Sequence, residues 1–187
     1  MNAPSNVRRA FPLNVFGLWL ALLAWAVAPA LATPQPVEAQ ADLAGSFNVS
    51  QTTLFEARSA ADFSKFQVLR EATVAPGANG LHITAAGTDP QLLLPPFAAG
   101  KQFILQVVIE APFETPCQMF YQVADRPGFV EAQSQLVPLK KGRNTVYFKV
   151  DVSKVIDPVR IDPGASAGEY TIESVVARAV SGPNAGK

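Results

Sequence analysis

The clearest pattern along the chain is a strict alternation of apolar and polar side chains, which predicts short β-strands. In the segment 144–151, Val146, Phe148 and Val150 alternate with more polar neighbours. Because successive side chains of a strand point to opposite faces, such a segment has one face suited to a buried core. Similar apolar segments bounded by glycine and proline predict further strands at 67–75, 81–86, 91–94, 103–111, 117–124, 159–161 and 170–180.

The residues between these segments are typical of turns. Pro76, Gly77 and Gly80 lie between two predicted strands, and this spacing predicts a hairpin with a five-residue loop. Ser59 is suited to cap a short helical turn that runs through Asp62, and no long apolar stripe follows it.

This number of strands favours two antiparallel sheets packed face to face. Each alternating strand would place its apolar row between the sheets and its polar row in water, whereas a single sheet would leave the apolar row exposed. The predicted fold class is therefore all-β, a two-sheet antiparallel β-sandwich. Its predicted inner rows include Phe103, Leu105, Val107, Val146, Phe148 and Val150.

The first 32 residues have the features of a secretory signal peptide. Arg8 and Arg9 precede an apolar segment at 15–28, and the sequence Ala-Leu-Ala at 30–32 fits a cleavage site. The apolar segment is shorter than the roughly 20 residues that cross a bilayer as a helix, and an uncleaved membrane anchor is the alternative. We predict a signal-peptide helix in 1–32 and an exported protein, periplasmic or extracellular, without stable membrane insertion after cleavage.

The exported part has three predicted regions. Residues 33–45 are rich in proline, glutamine and alanine without periodicity, and this composition predicts a flexible leader. Residues 46–180 are predicted to form the β-sandwich domain, and residues 181–187 a disordered tail.

The composition excludes several functions. With one histidine, His82, and one cysteine, Cys117, the chain cannot form a zinc site from several such ligands or an intramolecular disulfide. Its formal net charge of +0 disfavours nucleic-acid binding, and it has no phosphate-binding glycine loop or dinucleotide fingerprint. We predict no cofactor, no metal and no nucleic-acid partner. His82 is expected on a strand surface and Cys117 in the core.

Two pairs of short motifs carry a resemblance to a known family. The first pair is GTDP at 87–90 and LLLP at 92–95, and the second is VRIDPG at 159–164 and YTIESV at 170–175. In this order the motifs resemble the galactose-binding-like jelly-roll modules of bacterial polysaccharide-related proteins. The resemblance extends over about residues 67–179.

The resemblance implies a jelly-roll β-sandwich without catalytic residues of its own, which contacts a glycan or attaches to a partner protein. Two features depart from the family pattern. The predicted module follows a signal peptide without an enzyme domain, and both tryptophans, Trp19 and Trp25, lie in the signal peptide. Sugar-binding faces often use tryptophan because its large flat ring stacks on the apolar face of a pyranose.

Five motif residues are predicted to have structural roles. Proline forces the preceding aspartate into extended geometry, and an aspartate side chain accepts backbone N–H groups in turns. Arg160 is expected to pair with Asp89 or Asp162. Contact with a ligand or cation is the alternative, but no Asp- or Asn-rich loop supplies the oxygen ligands of a calcium site. The five residues are Asp89, Pro90, Arg160, Asp162 and Pro163.

The polar rows of the predicted strands are the best candidate for a binding surface. Gln118, Phe120 and Gln122 would lie beside Tyr147 and Lys149 if those two strands were neighbours. Amide and hydroxyl groups could then hydrogen-bond to sugar hydroxyls while the rings stack on the sugar. The simpler alternative is a solvated outer face or a seam covered by loops.

These patterns predict an exported, non-catalytic β-sandwich that binds a carbohydrate or a cell-envelope polymer. The alternative is a structural protein that docks on another envelope or exopolysaccharide-related protein. An enzyme is disfavoured because the chain has no nucleophile motif such as G-x-S-x-G, and scattered acids such as Glu110 and Glu173 do not define a catalytic pair.

Overall fold

The computed structural model describes residues 38–180, and most of them lie in β-strands. The predicted signal peptide (1–32) and tail (181–187) lie outside the described residues. None of the helices in the described range is long and apolar enough to cross a membrane. In chain order the elements are α1 (Gln40–Val49), β1 (Thr53–Ala57), α2 (Ala60–Phe63), β2 (Gln67–Arg70), β3 (Ala72–Gly77), β4 (Gly80–Ala85), β5 (Gln91–Leu93), β6 (Phe103–Ala111), β7 (Thr115–Val123), a 3-10 turn (Glu131–Gln133), β8 (Ser134–Leu139), β9 (Gly142–Val150), β10 (Val155–Asp162) and β11 (Gly168–Ala179).

The strands form two sheets. In the six-stranded sheet the order is β3-β4-β11-β6-β9, and β1 also pairs with β11. In the five-stranded sheet the order is β2-β5-β10-β7-β8. All strand pairs within the described range are antiparallel. The predicted two-sheet β-sandwich is therefore confirmed.

The core lies between the two sheets and is filled by alternate side chains of every strand except β2, whose four residues are exposed. Met119 of β7 and Ile161 of β10, from the five-stranded sheet, are fully buried. Burial of one large apolar side chain contributes about 1.5–3 kcal/mol, so this interface holds the sheets together. The residues predicted for the inner rows are all buried in the same apolar cluster: Phe103, Leu105, Val107, Val146, Phe148 and Val150.

Helix α1 corrects one prediction, because residues 40–45 belong to a helix and not to a flexible leader. Leu43 and Phe47 lie about one turn apart on the same side of α1, and both are buried. The local sequence contains little sign of this helix, since the residue before it, Ala39, has no side chain that could cap the first turn. The patch that α1 covers on the outer side of the six-stranded sheet consists of Ile104, Tyr147 and Val176.

Two local predictions are refined by the turns. The predicted strand 67–75 is in fact two strands in different sheets, because Glu71 has a left-handed φ of 46° that redirects the chain between β2 and β3. The predicted hairpin is present as β3 and β4, but its loop has two residues rather than five. The cap of α2 is confirmed: the Asp62 N–H donates to the Ser59 hydroxyl at 3.2 Å, and the Ser59 N–H donates to the Asp62 carboxylate.

Replacement of Gly80 by alanine is expected to destabilise the protein. Gly80 has a φ of +130°, and an added Cβ would overlap the backbone oxygen of Ile172 in β11. The backbone of β11 cannot move away without breaking its hydrogen bonds with the neighbouring strands β4 and β6. We therefore expect a loss of about 1–3 kcal/mol in the free energy of unfolding, measured with urea. The control is Gly45→Ala in α1, where nothing lies within 4 Å. It should leave stability unchanged or raise it by up to about 1 kcal/mol, and equal losses in both variants would contradict this account.

Candidate functional site

The outward side of the five-stranded sheet, which we call the five-stranded face, brings together two groups of residues identified from the sequence. Arg160 of β10 lies opposite Phe120 of β7 on one side and Leu93 of β5 on the other. Asp162 lies opposite Gln118. The residues between them along each strand belong to the core, so these five residues are directed outward.

A buried ion pair lies at the centre of this face. A guanidinium nitrogen of Arg160 donates to a carboxylate oxygen of Asp162 at 2.8 Å, and the two residues are only 9% and 7% exposed. The guanidinium carbon lies 3.8 Å from the ring centre of Phe120 and 5.0 Å from that of Phe129. Of its two expected partners, Arg160 therefore pairs with Asp162. Two aromatic rings cover the Arg160 guanidinium.

The ion pair is incompletely satisfied. Nε of Arg160 and Oδ1 of Asp162 are buried without a hydrogen-bond partner among the described residues. Burial raises the pKa of Asp162 to about 7, although the Arg160 guanidinium acts in the opposite direction. The negative charges of Asp89 and Glu131 add to the rise. Asp162 is thus a carboxyl group that changes its charge near neutral pH.

The loop 124–133 covers part of the five-stranded face, over β7 and Arg160. The Gln118 amide donates to the Glu131 carboxylate at 2.8 Å, and the Gly128 N–H donates to the Gln122 amide oxygen at 2.7 Å. Phe129 packs edge-on against Phe120 with 6.4 Å between ring centres. The β7 side chains that were predicted to contact a ligand therefore hold this loop in place. This arrangement matches the alternative given above, a seam covered by loops.

The predicted partners of those residues lie elsewhere. Tyr147 and Lys149 belong to β9 in the six-stranded sheet, so they do not adjoin Gln118, Phe120 and Gln122, and the prediction of one shared surface is wrong. The order of strands in a sheet depends on long-range pairing, which alternation within one strand does not reveal. Tyr147 is moreover 9% exposed beneath α1.

The first Asp-Pro motif closes a turn at the side of this face. The Asp89 N–H donates to the Glu71 carboxylate at 2.9 Å, and Arg70 forms ion pairs with both Glu71 and Asp89. Pro90 and Pro163 are both buried. These contacts favour the structural roles expected for the motif residues.

Another part of the five-stranded face forms a groove of about 390 Å³. Its apolar surface includes Leu93, Pro95 and Pro158, and its polar rim includes Lys65 and Gln67. We call this concavity the proline groove. An apolar surface with a few polar groups at its edge is the usual composition of a small-molecule site.

The carboxylate of Asp157 also lines the proline groove, but it is occupied by the protein backbone. It accepts hydrogen bonds from the N–H groups of Phe97, Ala98 and Ala99 at 2.9, 2.8 and 3.1 Å. These three hydrogen bonds fix the loop after β5, and the Asp157 carboxylate thereby stabilises the wall of the groove.

A second concavity, the polar cleft, lies on the outer side of the six-stranded sheet and has a volume of about 450 Å³. In register, Thr171 of β11 lies between His82 of β4 and Glu110 of β6, and the His82 Nδ1 is 3.2 Å from the Thr171 hydroxyl. His82 is exposed, as predicted for a strand surface. This cleft also contains the ionic side chains Arg58 and Glu173, and among the described residues it has none of the leucine and proline side chains that line the proline groove.

Two further expectations concern reactive groups and metals. Cys117 is fully buried, as predicted, and burial raises the pKa of its thiol, which keeps it protonated. Residues 38–180 contain no group of three or more His, Cys, Asp or Glu side chains placed to hold a metal ion.

Comparison with known proteins identifies carbohydrate-binding modules as structural neighbours. The sequence matches no protein-family profile and no curated protein. One solved structure that matches is a Clostridium thermocellum xylanase with CBM22-1 and GH10 modules, complexed with xylohexaose. The match covers 68% of this chain and 28% of that chain, with a TM-score of 0.53 and 7% identity.

Two smaller structures also match. For the family 29 carbohydrate-binding module of Piromyces equi, the match covers 66% of this chain and 86% of that chain, with a TM-score of 0.46 and 16% identity. For the second cellulose-binding domain of Cellulomonas fimi β-1,4-glucanase C, the match covers 72% of this chain and 100% of that chain, with a TM-score of 0.48 and 14% identity. At these identities the likeness concerns the fold alone, and the xylanase structure agrees with the predicted two-sheet β-sandwich.

The proline groove could not be predicted from the sequence. The pattern of the sequence assigns Leu93 to a strand and indicates only that Pro95 stops it. Lys65 and Pro158 approach these residues only because β5 pairs with β10 and β2. The consecutive prolines after a short strand are the only local sign of a rigid wall.

The stability of the protein is expected to fall as the pH rises through the titration range of Asp162. The folded chain holds the Asp162 proton more tightly than the unfolded chain, because the pKa rises from 3.8 to about 7 on folding. The folded state is therefore favoured by acid, and this group lowers the free energy of unfolding by up to about 1.4 kcal/mol per pH unit between the two values.

Urea unfolding between pH 4 and pH 8 checks this expectation. The Asp162→Asn variant should have a flatter pH profile than the unmodified protein, whereas Asp125→Asn, at an exposed ion pair with Lys154, should keep the original slope. Identical slopes in the Asp162→Asn variant and the unmodified protein would show that Asp162 does not titrate in this range.

Proposed function

We propose that this protein is an exported, non-catalytic module that binds carbohydrate in the proline groove of the five-stranded face. The observation that carries the proposal is the combination of an apolar surface and a polar rim in an open concavity on a β-sandwich. Export is inferred from the signal-peptide pattern in residues 1–32.

The chemistry of the groove suits a sugar ring. A pyranose has an apolar C–H face and hydroxyl groups around its edge, so the aliphatic surfaces of Leu93, Pro95 and Pro158 would contact the face. The Gln67 amide and the Lys65 ammonium at the rim would donate hydrogen bonds to the hydroxyl groups.

The fold supports the same class of ligand by analogy. The xylanase structure that shares this fold carries a carbohydrate-binding module and was solved with xylohexaose. A fold hosts many functions, so the assignment depends on the groove and the neighbours only strengthen it.

The absence of tryptophan from residues 33–187 bears on affinity. Without a large aromatic ring to stack on the sugar, the groove gains less contact area per sugar unit. We therefore expect weak binding to a single oligosaccharide and stronger retention by a polymer, on which many sugar units are available to one protein.

The proposal includes no reaction step. The carboxylate in the groove wall, Asp157, accepts hydrogen bonds from three backbone N–H groups, so its oxygen atoms already have partners within the protein. Glycoside hydrolysis needs a second carboxyl group across the scissile bond, and no other acidic side chain lines this groove within the described residues.

Docking on an envelope protein is the second candidate function, and the edge strand β2 favours it. Val68 and Leu69 of β2 are 37% and 49% exposed, which is unusual for two adjacent apolar residues at a sheet edge. Stoichiometric recovery of one envelope protein, lost in a Val68→Lys variant, would support this function.

Removal of the groove contacts is expected to weaken carbohydrate retention. Affinity electrophoresis through gels that contain xylan, laminarin, galactan or alginate measures retention of the unmodified protein. The double variant Leu93→Ala with Gln67→Ala should bind the retaining polymer at least about tenfold more weakly, since it loses apolar contact and one amide donor.

The matched control is Thr171→Ala, which changes the polar cleft on the opposite side of the sandwich. It should migrate like the unmodified protein. Absence of retention by every polymer would overturn the carbohydrate proposal, and loss of retention in the Thr171→Ala variant alone would move the site to the polar cleft.

A further inference from the structure

The loop 124–133 covers side chains that directly adjoin the proline groove. In register, Arg160 of β10 lies between Leu93 of β5, which lines the groove, and Phe120 of β7. All three side chains point outward from the five-stranded face. Since neighbouring strands are about 4.8 Å apart, the backbone at Phe120 lies about 10 Å from that at Leu93. The sheet surface that forms the groove therefore continues beneath the loop.

The middle of this loop is held from outside the core. No residue from 124 to 132 is buried. The middle of the loop contacts β7 through the two hydrogen bonds described above and through the Phe129 ring. Its firm anchors are at its ends, where Arg126 pairs with Val123 and Gln133 is buried. A segment that buries little apolar surface and is held by solvent-accessible hydrogen bonds opens at low cost in free energy.

Gln122 links the loop to the wall of the groove. Its amide oxygen accepts a hydrogen bond from the Gly128 N–H at 2.7 Å, and its amide nitrogen donates to the Pro158 carbonyl at 3.4 Å. Pro158 lines the groove. A sugar in contact with Pro158 would therefore lie one side chain away from the loop.

The ion pair beneath the loop leaves one donor and one acceptor unused. It joins a terminal guanidinium nitrogen of Arg160 to Oδ2 of Asp162, whereas Nε of Arg160 and Oδ1 of Asp162 have no hydrogen-bond partner among residues 38–180. Both residues are more than nine-tenths buried, and unpaired polar groups are costly in such surroundings. A sugar hydroxyl both donates and accepts hydrogen bonds, so it is suited to pair with these two atoms.

We propose that Phe120, Arg160 and Asp162 form a second sugar subsite and that the loop 124–133 is a lid over it. This subsite extends the proposed binding of carbohydrate in the proline groove and rests on it. A pyranose is similar in size to a phenyl ring, so with the lid open a sugar unit would take the place of the Phe129 ring. It would contact the Phe120 ring and the Arg160 guanidinium, and thus gain the aromatic contact that the groove lacks.

The length of the oligosaccharide tests the subsite. The full chain is titrated with xylohexaose, laminarihexaose and the corresponding trisaccharides, and the backbone amides are followed by nuclear magnetic resonance. A hexasaccharide should shift the amides of Leu93, Gly128, Phe129 and Arg160, and should bind at least about tenfold more tightly than its trisaccharide. Shifts in the groove alone, with equal affinity for both lengths, would overturn the subsite and leave the groove site intact. No shifts with any of these sugars would overturn both.

Removal of the Phe129 ring tests the lid. Phe129→Ala should raise the affinity for the hexasaccharide at least about threefold and leave that for the trisaccharide unchanged, because less free energy is then needed to open the lid. The matched control is Phe113→Ala. Phe113 lies between β6 and β7 and packs edge-on against Tyr170 with 6.3 Å between ring centres, much as Phe129 packs against Phe120. It should leave both affinities unchanged, and unchanged or weaker hexasaccharide binding in Phe129→Ala would contradict the lid.

Two conservative substitutions test the contacts beneath the lid. Phe120→Leu keeps an apolar side chain without the ring, and Arg160→Lys keeps the charge without Nε. Each should weaken hexasaccharide binding at least about threefold and leave trisaccharide binding unchanged, with circular dichroism as the check of folding. Full hexasaccharide affinity in both folded variants would overturn the subsite. The titration of the unmodified protein decides the question if neither variant folds.

Discussion

Burial of alternate side chains between two antiparallel sheets is the constraint on which the rest of this structure depends. Leu105 of β6 completes a buried row with Phe103 and Val107, and this row belongs to the same apolar cluster as Met119 and Ile161 of the opposite sheet. A larger side chain at position 105 would overfill this row, because its members are fully buried. Since the inner sides of all strands except the edge strand β2 are used in this way, we expect binding chemistry on the outward sides, in the loops or along the edges.

Each outward side of the sandwich has a segment that covers part of it and a concavity elsewhere. On the six-stranded sheet, α1 covers the patch of Ile104, Tyr147 and Val176, and the polar cleft lies beyond it. On the five-stranded face, the loop 124–133 covers the Arg160–Asp162 pair, and the proline groove lies beside it. The two concavities differ in chemistry, since one has an apolar surface and the other is lined by ionic and hydroxyl side chains. This difference is the reason for placing the sugar ring in the proline groove.

The sequence predicted what depends on local pattern. Alternation identified the inner row around Phe148, and residue type identified the Ser59 cap. It could not predict what depends on distant partners. The order of strands placed Gln118 and Tyr147 in different sheets, and α1 is stabilised by the patch beneath it rather than by its own sequence. The division of 67–75 at Glu71 likewise depends on contacts with Arg70 and the Asp89 turn.

The most direct test of carbohydrate binding in the proline groove is a nuclear magnetic resonance titration of the protein with neutral hexasaccharides, including xylohexaose and laminarihexaose. If the sugar binds there, the backbone amides of Lys65, Gln67, Leu93 and Leu94, which line the groove, should show saturable shifts. The amides of His82, Glu110 and Thr171 on the opposite side should remain unchanged. Shifts confined to the polar cleft, or no shifts with any of the sugars, would contradict it.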